Sequence, residues 1–391
     1  MSKQKRTIDG PNSLPTPAPL TGPAVAAQAA LLLTKVETLY SQGRYQEALD
    51  ASQRVYELDA FRTDNLLLLG AIHFQLRNFS ESIFYNQQCV RVDPNFAEGY
   101  SNLGNALKEL GDVKAAVQFY LKAIKLKPRF SDAYNNLAST YVQLGQISEA
   151  IETYQMALVL NPGLVDSHSN LGNLYKAQGD LTAAKKCYLE AIRIKPDFAV
   201  AWSNVAGVFK DEGQTATAIA YYKEAIRLCP EFADAHSNLG NALKDQGLLD
   251  AAMQAYHTAV KLRPDFAIAH GNMGSCQFEL GDLVGAVKSL KYAIQLEPNF
   301  PDAFNNLANA YKQQGRVEEA VQVRYFIDFI CTRYQEKDEP AKPSISATLL
   351  MNHSLPKHTK TNQNTPLPPS PPLLGVPHCP AVETRPPPRL Q

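Results

Sequence analysis

Asparagine recurs at an interval of 34 residues through the middle of the chain, seven times in succession. The residues of this series are Asn102, Asn136, Asn170, Asn204, Asn238, Asn272 and Asn306. An asparagine side chain has an oxygen that accepts hydrogen bonds and a nitrogen that donates them, so it can pair with the C=O and N–H groups of an extended peptide. Such a series would hold a polypeptide by its backbone and would read little of its sequence.

Acidic residues stand four positions before most of these asparagines. They are Asp132, Asp166, Asp234 and Asp302, with Glu98 ahead of Asn102. A spacing of four places the acid and the asparagine on one face of a helix. Carboxylates accept hydrogen bonds from hydroxyl groups, so these acids would favour segments that contain Ser and Thr. Each contact contributes only about 0.5–1.5 kcal/mol net, which predicts weak and broad recognition.

A structural role is the alternative for the asparagines, since each side chain could instead bond the end of a neighbouring helix. A run of seven identical residues at one position is hard to assign to packing alone and favours binding. Histidines at another position of the repeat, His168, His236 and His270, share that position with Trp202 and Phe304. Packing is therefore expected for them. No residues have the spacing of a metal site, and neither a metal nor a cofactor is expected.

The helices that position these residues are predicted from the same 34-residue interval. Proline recurs at 94, 128, 162, 196, 230, 264 and 298, and glycine at 43, 111, 145, 179, 213, 247, 281 and 315, with Arg77 in the gap. A 34-residue period is that of the tetratricopeptide repeat (TPR), a helix–turn–helix unit. The glycine is expected to end the first helix and the proline to follow the second.

Small and large residues alternate inside the repeat. With Ala97 as position 1, positions 8, 20 and 27 are mostly Gly or Ala. Position 24 is tyrosine in five repeats, at Tyr120, Tyr154, Tyr188, Tyr222 and Tyr256. The small positions predict close helix crossings, where a larger side chain would cost about 1–3 kcal/mol.

The predicted fold is an all-α, right-handed superhelical solenoid of about nine repeats, in which the first helix of each repeat lines a concave groove. The repeats are 29–62, 63–96, 97–130, 131–164, 165–198, 199–232, 233–266, 267–300 and 301–334, the first and last being degenerate. Residues 1–28 are expected to be mostly disordered, and 335–391 to form a Pro-rich disordered tail.

Composition limits the classes of partner. Lys plus Arg (38) equals Asp plus Glu (38), which argues against nucleic acid and anionic membranes. No apolar run reaches the length of a membrane span. The six cysteines form no C-x-x-C pair and are interpreted as thiols of a reducing compartment, the cytoplasm and/or nucleus. The expected partners are proteins or peptides in extended form, and the apolar segment 321–334 offers a surface for self-association.

Several segments resemble the TPR half of protein O-GlcNAc transferase. They are SNLGNALKELG (101–111), HSNLGNLYKAQG (168–179), FAVAWSNVAGVFKDEG (198–213) and FPDAFNNLANAYKQQGRVEEA (300–320). The resemblance covers about residues 29–322, and RTDNLLLLGAIHFQL (62–76) is similar to the plant-type version. In that family the repeats feed protein substrates to a C-terminal domain that places N-acetylglucosamine from a UDP-sugar on Ser or Thr. The resemblance implies that the asparagines hold the substrate backbone and that the acids bias which segments bind.

The sequence departs from that family after Tyr334, where 57 mostly Pro-rich residues follow. A UDP-sugar site needs a Rossmann-like sheet of on the order of a hundred residues or more, so no catalysis and no catalytic residue are expected. The favoured function is a substrate-binding array, and the alternative is a general TPR scaffold or adaptor in an unrelated complex. A chaperone-type carboxylate clamp is disfavoured because the asparagines and acids stand where its basic residues would be.

Overall fold

Each repeat folds into two helices because its apolar positions recur at helical spacing and its turn residues interrupt them. A computed structural model describes residues 22–325 of the chain. Over this range the regular secondary structure is α-helical and contains no strand. The prediction of an all-α array of TPR-type repeats is confirmed.

The described chain divides into two compact units, one ending at Ser167 and one beginning at His168. The helices of the first are α1 (Pro23–Ser41), α2 (Tyr45–Leu58), α3 (Thr63–Gln75), α4 (Phe79–Val92), α5 (Ala97–Glu109), α6 (Val113–Leu126), α7 (Ser131–Gln143) and α8 (Ile147–Leu160). Helix α9 (Val165–Ala177) starts at the end of the first unit. The second unit continues with α10 (Leu181–Ile194), α11 (Ala199–Asp211), α12 (Thr215–Leu228), α13 (Ala233–Asp245), α14 (Leu249–Leu262), α15 (Ala267–Glu279), α16 (Leu283–Leu296) and α17 (Pro301–Gln313).

Turns between the helices fall where the period places them. The glycine that follows each first helix adopts a positive φ, as at Gly111 (φ 85°), a conformation that residues with a side chain rarely take. Arg77 stands in for glycine in its repeat and adopts the same left-handed conformation, with φ 60°. The second helices end two residues before the periodic proline, as at Leu126 and Pro128.

The core of each repeat forms where position 8 meets position 24. A methyl group added at Gly104 would lie 2.6 Å from the Tyr120 ring, and one added at Gly172 would lie 2.6 Å from the Tyr188 ring. Both tyrosines are fully buried. The predicted close crossing of the two helices is therefore confirmed at these repeats, and the glycine is needed for the tyrosine to fit.

The amino-terminal helix begins earlier than the repeat boundary at residue 29 suggested. Helix α1 starts at Pro23, because proline suits the first turn of a helix and the following alanines have high helix propensity. The rest of the segment predicted to be disordered at this end, residues 1–21, and the predicted Pro-rich tail at 335–391 lie outside the described residues.

The last repeat is described only in part. Its second helix begins at Val317 and is described as far as Tyr325. Val317, Val321 and Tyr325 are exposed there, whereas most of the apolar segment 321–334 lies outside the described residues. Among the cysteines, Cys89 and Cys276 are buried free thiols and Cys187 is a half-buried one. Cys229 is disulfide-bonded, so the interpretation of all six as thiols is wrong at this position.

Candidate polypeptide-binding surface

The seven periodic asparagines, here called the asparagine row, occupy position 6 on the first helix of seven consecutive repeats. Asn102 and Asn136 belong to the first compact unit, and the five from Asn170 to Asn306 belong to the second. Every member is half-buried. A half-buried amide is partly open to solvent and can be reached by a ligand.

Two members of the row bond to the preceding repeat through an asparagine at position 9, here called the bridging asparagine. In the first unit, Asn136 Nδ2 donates to Asn105 Oδ1 at 3.0 Å, and the Tyr120 hydroxyl donates to the same oxygen at 2.7 Å. In the second unit, Asn204 Nδ2 donates to Asn173 Oδ1 at 3.2 Å, and Tyr188 donates to it at 2.7 Å. The bridging asparagine thus links the buried tyrosine of its own repeat to the row.

These hydrogen bonds bear on whether the asparagines of the row have a structural role or are free to bind a ligand. Asn136 and Asn204 do have structural partners, but their amide nitrogens donate to side chains of the previous repeat and not to helix ends, and the Asn136 oxygen accepts from the adjacent Asn135. Asn102, Asn170, Asn238, Asn272 and Asn306 have no hydrogen-bond partner among the described residues. Packing therefore accounts for two amides of the row and leaves five without a structural partner.

Lysines at position 12 lie beside the row, and the sequence reasoning missed them. Lys176 Nζ lies 3.1 Å from Asp211, Lys210 lies 3.0 Å from Asp245, and Lys244 lies 3.1 Å from Glu279; each acid is at position 13 of the following repeat. Where position 9 is serine, the preceding lysine also donates to its hydroxyl, as Lys108 does to Ser139 at 2.9 Å. The recurrence of Lys at position 12 was the available signal. These pairs leave the surface polar and close to neutral.

The acids at position 2 fall into two groups. Glu98 pairs with Lys127 at 2.6 Å and Asp234 with Arg263 at 2.8 Å, both partners being at position 31 of the same repeat. Burial opposes the charge of Glu98, but the hydrogen bond from Lys127 holds its pKa below the ordinary value. The other acids, Asp132, Asp166 and Asp302, are exposed and have no polar side-chain partner in the described part of the chain. Only this second group is fully available to a hydroxyl group of a ligand.

Ring nitrogens at position 4 bond the periodic proline of the preceding repeat. His236 Nε2 lies 3.0 Å from the carbonyl oxygen of Pro230, and Trp202 Nε1 donates to that of Pro196 at 2.8 Å. The packing predicted for this position is confirmed at Trp202, which packs against the buried cluster that includes Ala199 and Phe232, whereas the observed contact of His236 is this hydrogen bond. Across residues 22–325, no group of His, Cys, Asp or Glu side chains is arranged to hold a metal ion. No helix in the same range has both the length and the apolar character of a membrane span.

Comparison with known families identifies the repeats. Models described as "TPR repeat" match residues 104–145, 138–179, 206–247, 240–281 and 277–315. Models described as "Tetratricopeptide repeat" match 165–198, 38–55 and 63–96. Together these ranges cover more than half of the chain.

Two curated relatives are similar over shorter stretches. The chain is 49% identical over 86 residues to the probable UDP-N-acetylglucosamine–peptide N-acetylglucosaminyltransferase SEC of Arabidopsis thaliana. It is 43% identical over 77 residues to the UDP-N-acetylglucosamine–peptide N-acetylglucosaminyltransferase of Caenorhabditis elegans. The matches span 22% and 20% of this chain but only 9% and 7% of the relatives.

Among solved structures, the APC/C hetero-tetramer Cut9-Hcn1 is similar with a TM-score of 0.58 and 20% identity. The likeness covers 74% of this chain and 57% of the other. At this identity it shows the fold alone.

Proposed function

Because the chain belongs to the tetratricopeptide repeat proteins, we propose that it binds extended polypeptides containing Ser and Thr along its asparagine row. The proposal is based on five of the seven amides in the row, which have no hydrogen-bond partner among the described residues. They are those of Asn102, Asn170, Asn238, Asn272 and Asn306. Each offers a donor and an acceptor, which is what a peptide backbone requires.

Similarity to two peptide N-acetylglucosaminyltransferases supports a polypeptide as the ligand. The names of those proteins state that they act on peptides. For this chain the proposal is that a repeat array of the same kind holds the peptide. Its role is then that of an adaptor or of a competitor for peptide substrates.

The acids at position 2 supply the proposed preference for Ser and Thr. Asp132 and Asp302 are exposed and without a side-chain partner in the described part of the chain, and so can accept a hydrogen bond from a ligand hydroxyl. Asp234 is already paired with Arg263, so a hydroxyl group would have to compete with a guanidinium. The preference is therefore expected to come from Asp132, Asp302 and Asp166.

The test is peptide binding by the full chain, measured by fluorescence anisotropy with a labelled, unstructured Ser/Thr-rich peptide. Asn170, Asn238 and Asn272 are changed together to alanine, because none of the three has a structural partner among the described residues. Loss of three contacts of about 0.5–1.5 kcal/mol each predicts an affinity lower by about tenfold or more.

A matched control changes Gln118, Gln254 and Gln295 to alanine. These are exposed amides on second helices, and their removal should leave the affinity unchanged. If the row variant binds as well as the unchanged chain while both keep their helical circular dichroism, the row is not the binding site. The alternative of a general TPR scaffold with another binding surface would then be preferred.

Sugar transfer is measured in the same samples with UDP-N-acetylglucosamine as donor. We expect binding without transfer, since the proposal assigns the described residues a role in holding peptides only. Glycosylated peptide in the product would contradict a purely binding role.

A further inference from the structure

The repeat 199–232 differs from its neighbours at the position that carries the bridging asparagine. Residue 207 is glycine, where the repeats before and after have Asn173 and Asn241. In both of those repeats the amide oxygen accepts a hydrogen bond from the buried tyrosine at 2.7 Å. The tyrosine of the repeat with glycine, Tyr222, is retained and only 3% exposed.

A pocket of about 200 Å³ lies beside Gly207. Its lining includes Lys176, Asn204, Gly207, Asp211, Tyr222 and Asn238, all within the second compact unit. A methyl group added at Gly207 would lie 2.8 Å from Lys176 Nζ and 3.5 Å from the Tyr222 hydroxyl oxygen, so the flexible end of Lys176 must shift when a side chain enters there. The pocket therefore adjoins the group that a bridging asparagine would have bonded.

Two hydrogen-bond donors line this pocket, and both lack the acceptor oxygen that a bridging asparagine supplies to the equivalent donors around Asn173. At Asn173, the oxygen accepts from Tyr188 and from Asn204 of the next repeat. The equivalent donors here are Tyr222 and Asn238, and neither has a partner among the described residues. Burial raises the pKa of the Tyr222 hydroxyl, which therefore keeps its proton. A ligand that enters must supply an acceptor oxygen to both.

The opposite wall carries acceptors, and the charges on it are balanced. Asn204 uses its nitrogen to bond Asn173 and Ser169, and its oxygen has no hydrogen-bond partner among the described residues at a pocket that Asn204 lines. Lys176 and Asp211 form an ion pair at 3.1 Å, and Lys210 pairs with Asp245 at 3.0 Å. The pocket thus combines donors and acceptors with little net charge.

We propose that this pocket binds the carboxamide side chain of a glutamine or asparagine in the polypeptide held by the asparagine row. The ligand oxygen takes the place of the missing bridging oxygen between Tyr222 and Asn238, and the ligand NH₂ group donates to Asn204 or Asp211. A carboxylate lacks the NH₂ donor, and the two lysines that line the pocket, Lys176 and Lys210, are already paired with Asp211 and Asp245. An apolar side chain would bury Tyr222 and Asn238 without partners, which is unfavourable.

This inference rests on the proposed function, since it assigns a side-chain preference to the same row. Two Ser/Thr-rich peptides are compared that differ only in carrying glutamine or leucine at the central position. The full chain should bind the glutamine peptide about five- to tenfold more tightly, as expected for pairing two otherwise unsatisfied donors.

Gly207→Asn supplies the bridging side chain from the protein itself. The variant should bind both peptides with equal affinity. Ser275→Asn, the same new side chain at position 9 of a later repeat, should keep the glutamine preference. Tyr222→Phe removes one donor without adding volume and should reduce the preference for the glutamine peptide. It tests the pocket independently if Gly207→Asn fails to fold. Equal affinity of the unchanged chain for the two peptides overturns the proposal.

A second measurement separates this inference from the proposed function. N-acetylglutamine N-methylamide is titrated into chain labelled with ¹⁵N-asparagine, and the side-chain amide signals are followed by NMR. The Asn238 signal should shift in the unchanged chain and stay fixed in Gly207→Asn. If no peptide binds but this shift occurs, the proposed function fails and the pocket stands. If peptides bind and no shift occurs, the pocket proposal fails alone.

Discussion

At Asn105 a single amide oxygen accepts hydrogen bonds from Tyr120 of its own repeat and Asn136 of the next. The oxygen is held by two donors, so the position of Asn136 depends on a residue that lies outside its own repeat. The same arrangement recurs around Asn173. At this scale the candidate binding residues are part of a side-chain network as well as of a surface.

Removing the tyrosine hydroxyl tests this network. Tyr120→Phe should lower the free energy of unfolding by about 0.5–1.5 kcal/mol, because the buried bond to Asn105 at 2.7 Å is lost. Tyr222→Phe should change it by much less, since the Tyr222 hydroxyl has no partner among the described residues. Urea unfolding followed by circular dichroism measures both. Equal losses would contradict the assignment of the hydrogen bonds.

Protonation of His270 should make stability depend on pH. Burial lowers its pKa, although the bond to the Pro264 carbonyl opposes the shift. Above the ordinary value of about 6.5 the side chain is neutral in both states and its effect on stability is nil. As the pH falls below that value the unfolded chain takes up the proton first, and stability is lost.

The measurement is the Tm between pH 7 and pH 5.5. His270→Phe, which copies the residue at the same position of a later repeat, should show a smaller fall in Tm than the unchanged chain. His236→Phe is the control, since it removes the same bond to a proline carbonyl. An equal pH dependence in His270→Phe and the unchanged chain would remove His270 as the cause.

Single residues were predictable where a periodic pattern held and unpredictable where partners came from another repeat. The sequence placed the asparagine row on first helices, because its spacing alone identifies it. It gave no indication that Asn204 bonds Asn173, which is 31 positions earlier. The ion pair of Asp234 with Arg263, which joins α13 to the residue that follows α14 within one repeat, was missed as well. Such pairs depend on the angle at which two helices cross, and a linear pattern does not contain that angle.

The turn after the first helix has glycine in every repeat but one, in which Arg77 takes its place. A residue with a side chain in the left-handed region costs about 1–2 kcal/mol, whereas glycine there has only a smaller entropic cost. Arg77→Gly should therefore raise the free energy of unfolding by about 0.5–1 kcal/mol. The reverse change, Gly111→Arg, should lower it, although nothing lies near enough to Gly111 to clash. Urea unfolding of both variants tests this; no gain in stability from Arg77→Gly, or no loss from Gly111→Arg, would refute the role of φ.

Helix starts differ between repeats in their capping. Asp112 caps α6 by accepting from the backbone N–H of Ala115, and Asp180 caps α10 by accepting from Ala183. Leu248 stands at the same place before α14 and offers no cap. Leu248→Asp should stabilise the chain by about 1 kcal/mol. Leu248→Ala is the control, and thermal unfolding of the two variants shows whether the gain needs the carboxylate.

Element boundaries were largely predictable because proline and glycine mark them. First helices start at position 1, as α5 does at Ala97, and the turns follow at the periodic glycines. The start of α1 at Pro23 was not predicted, since the repeat period does not extend there and only local helix propensity determines it.

At the scale of the molecule, the balance of charges predicts how binding responds to salt. The chain has 38 basic and 38 acidic residues, and three of the lysines beside the row, Lys176, Lys210 and Lys244, are paired with acids. Binding through amides should therefore be nearly insensitive to ionic strength. Raising NaCl from about 0.05 to 0.5 M should change the peptide Kd by less than about threefold. A drop in affinity by orders of magnitude would show that charge holds the ligand.

Sharing of the bridging oxygen between repeats has a consequence for exchanging repeats between proteins. A segment cut from one periodic proline to the next carries Asn136 but leaves Asn105, its acceptor, behind. Transplanted by itself, it would present the binding residue without the partner that orients it. The portion that can be moved intact runs from position 9 of one repeat to position 6 of the next. Duplication or grafting should preserve the recognition surface only when its breakpoints respect that offset.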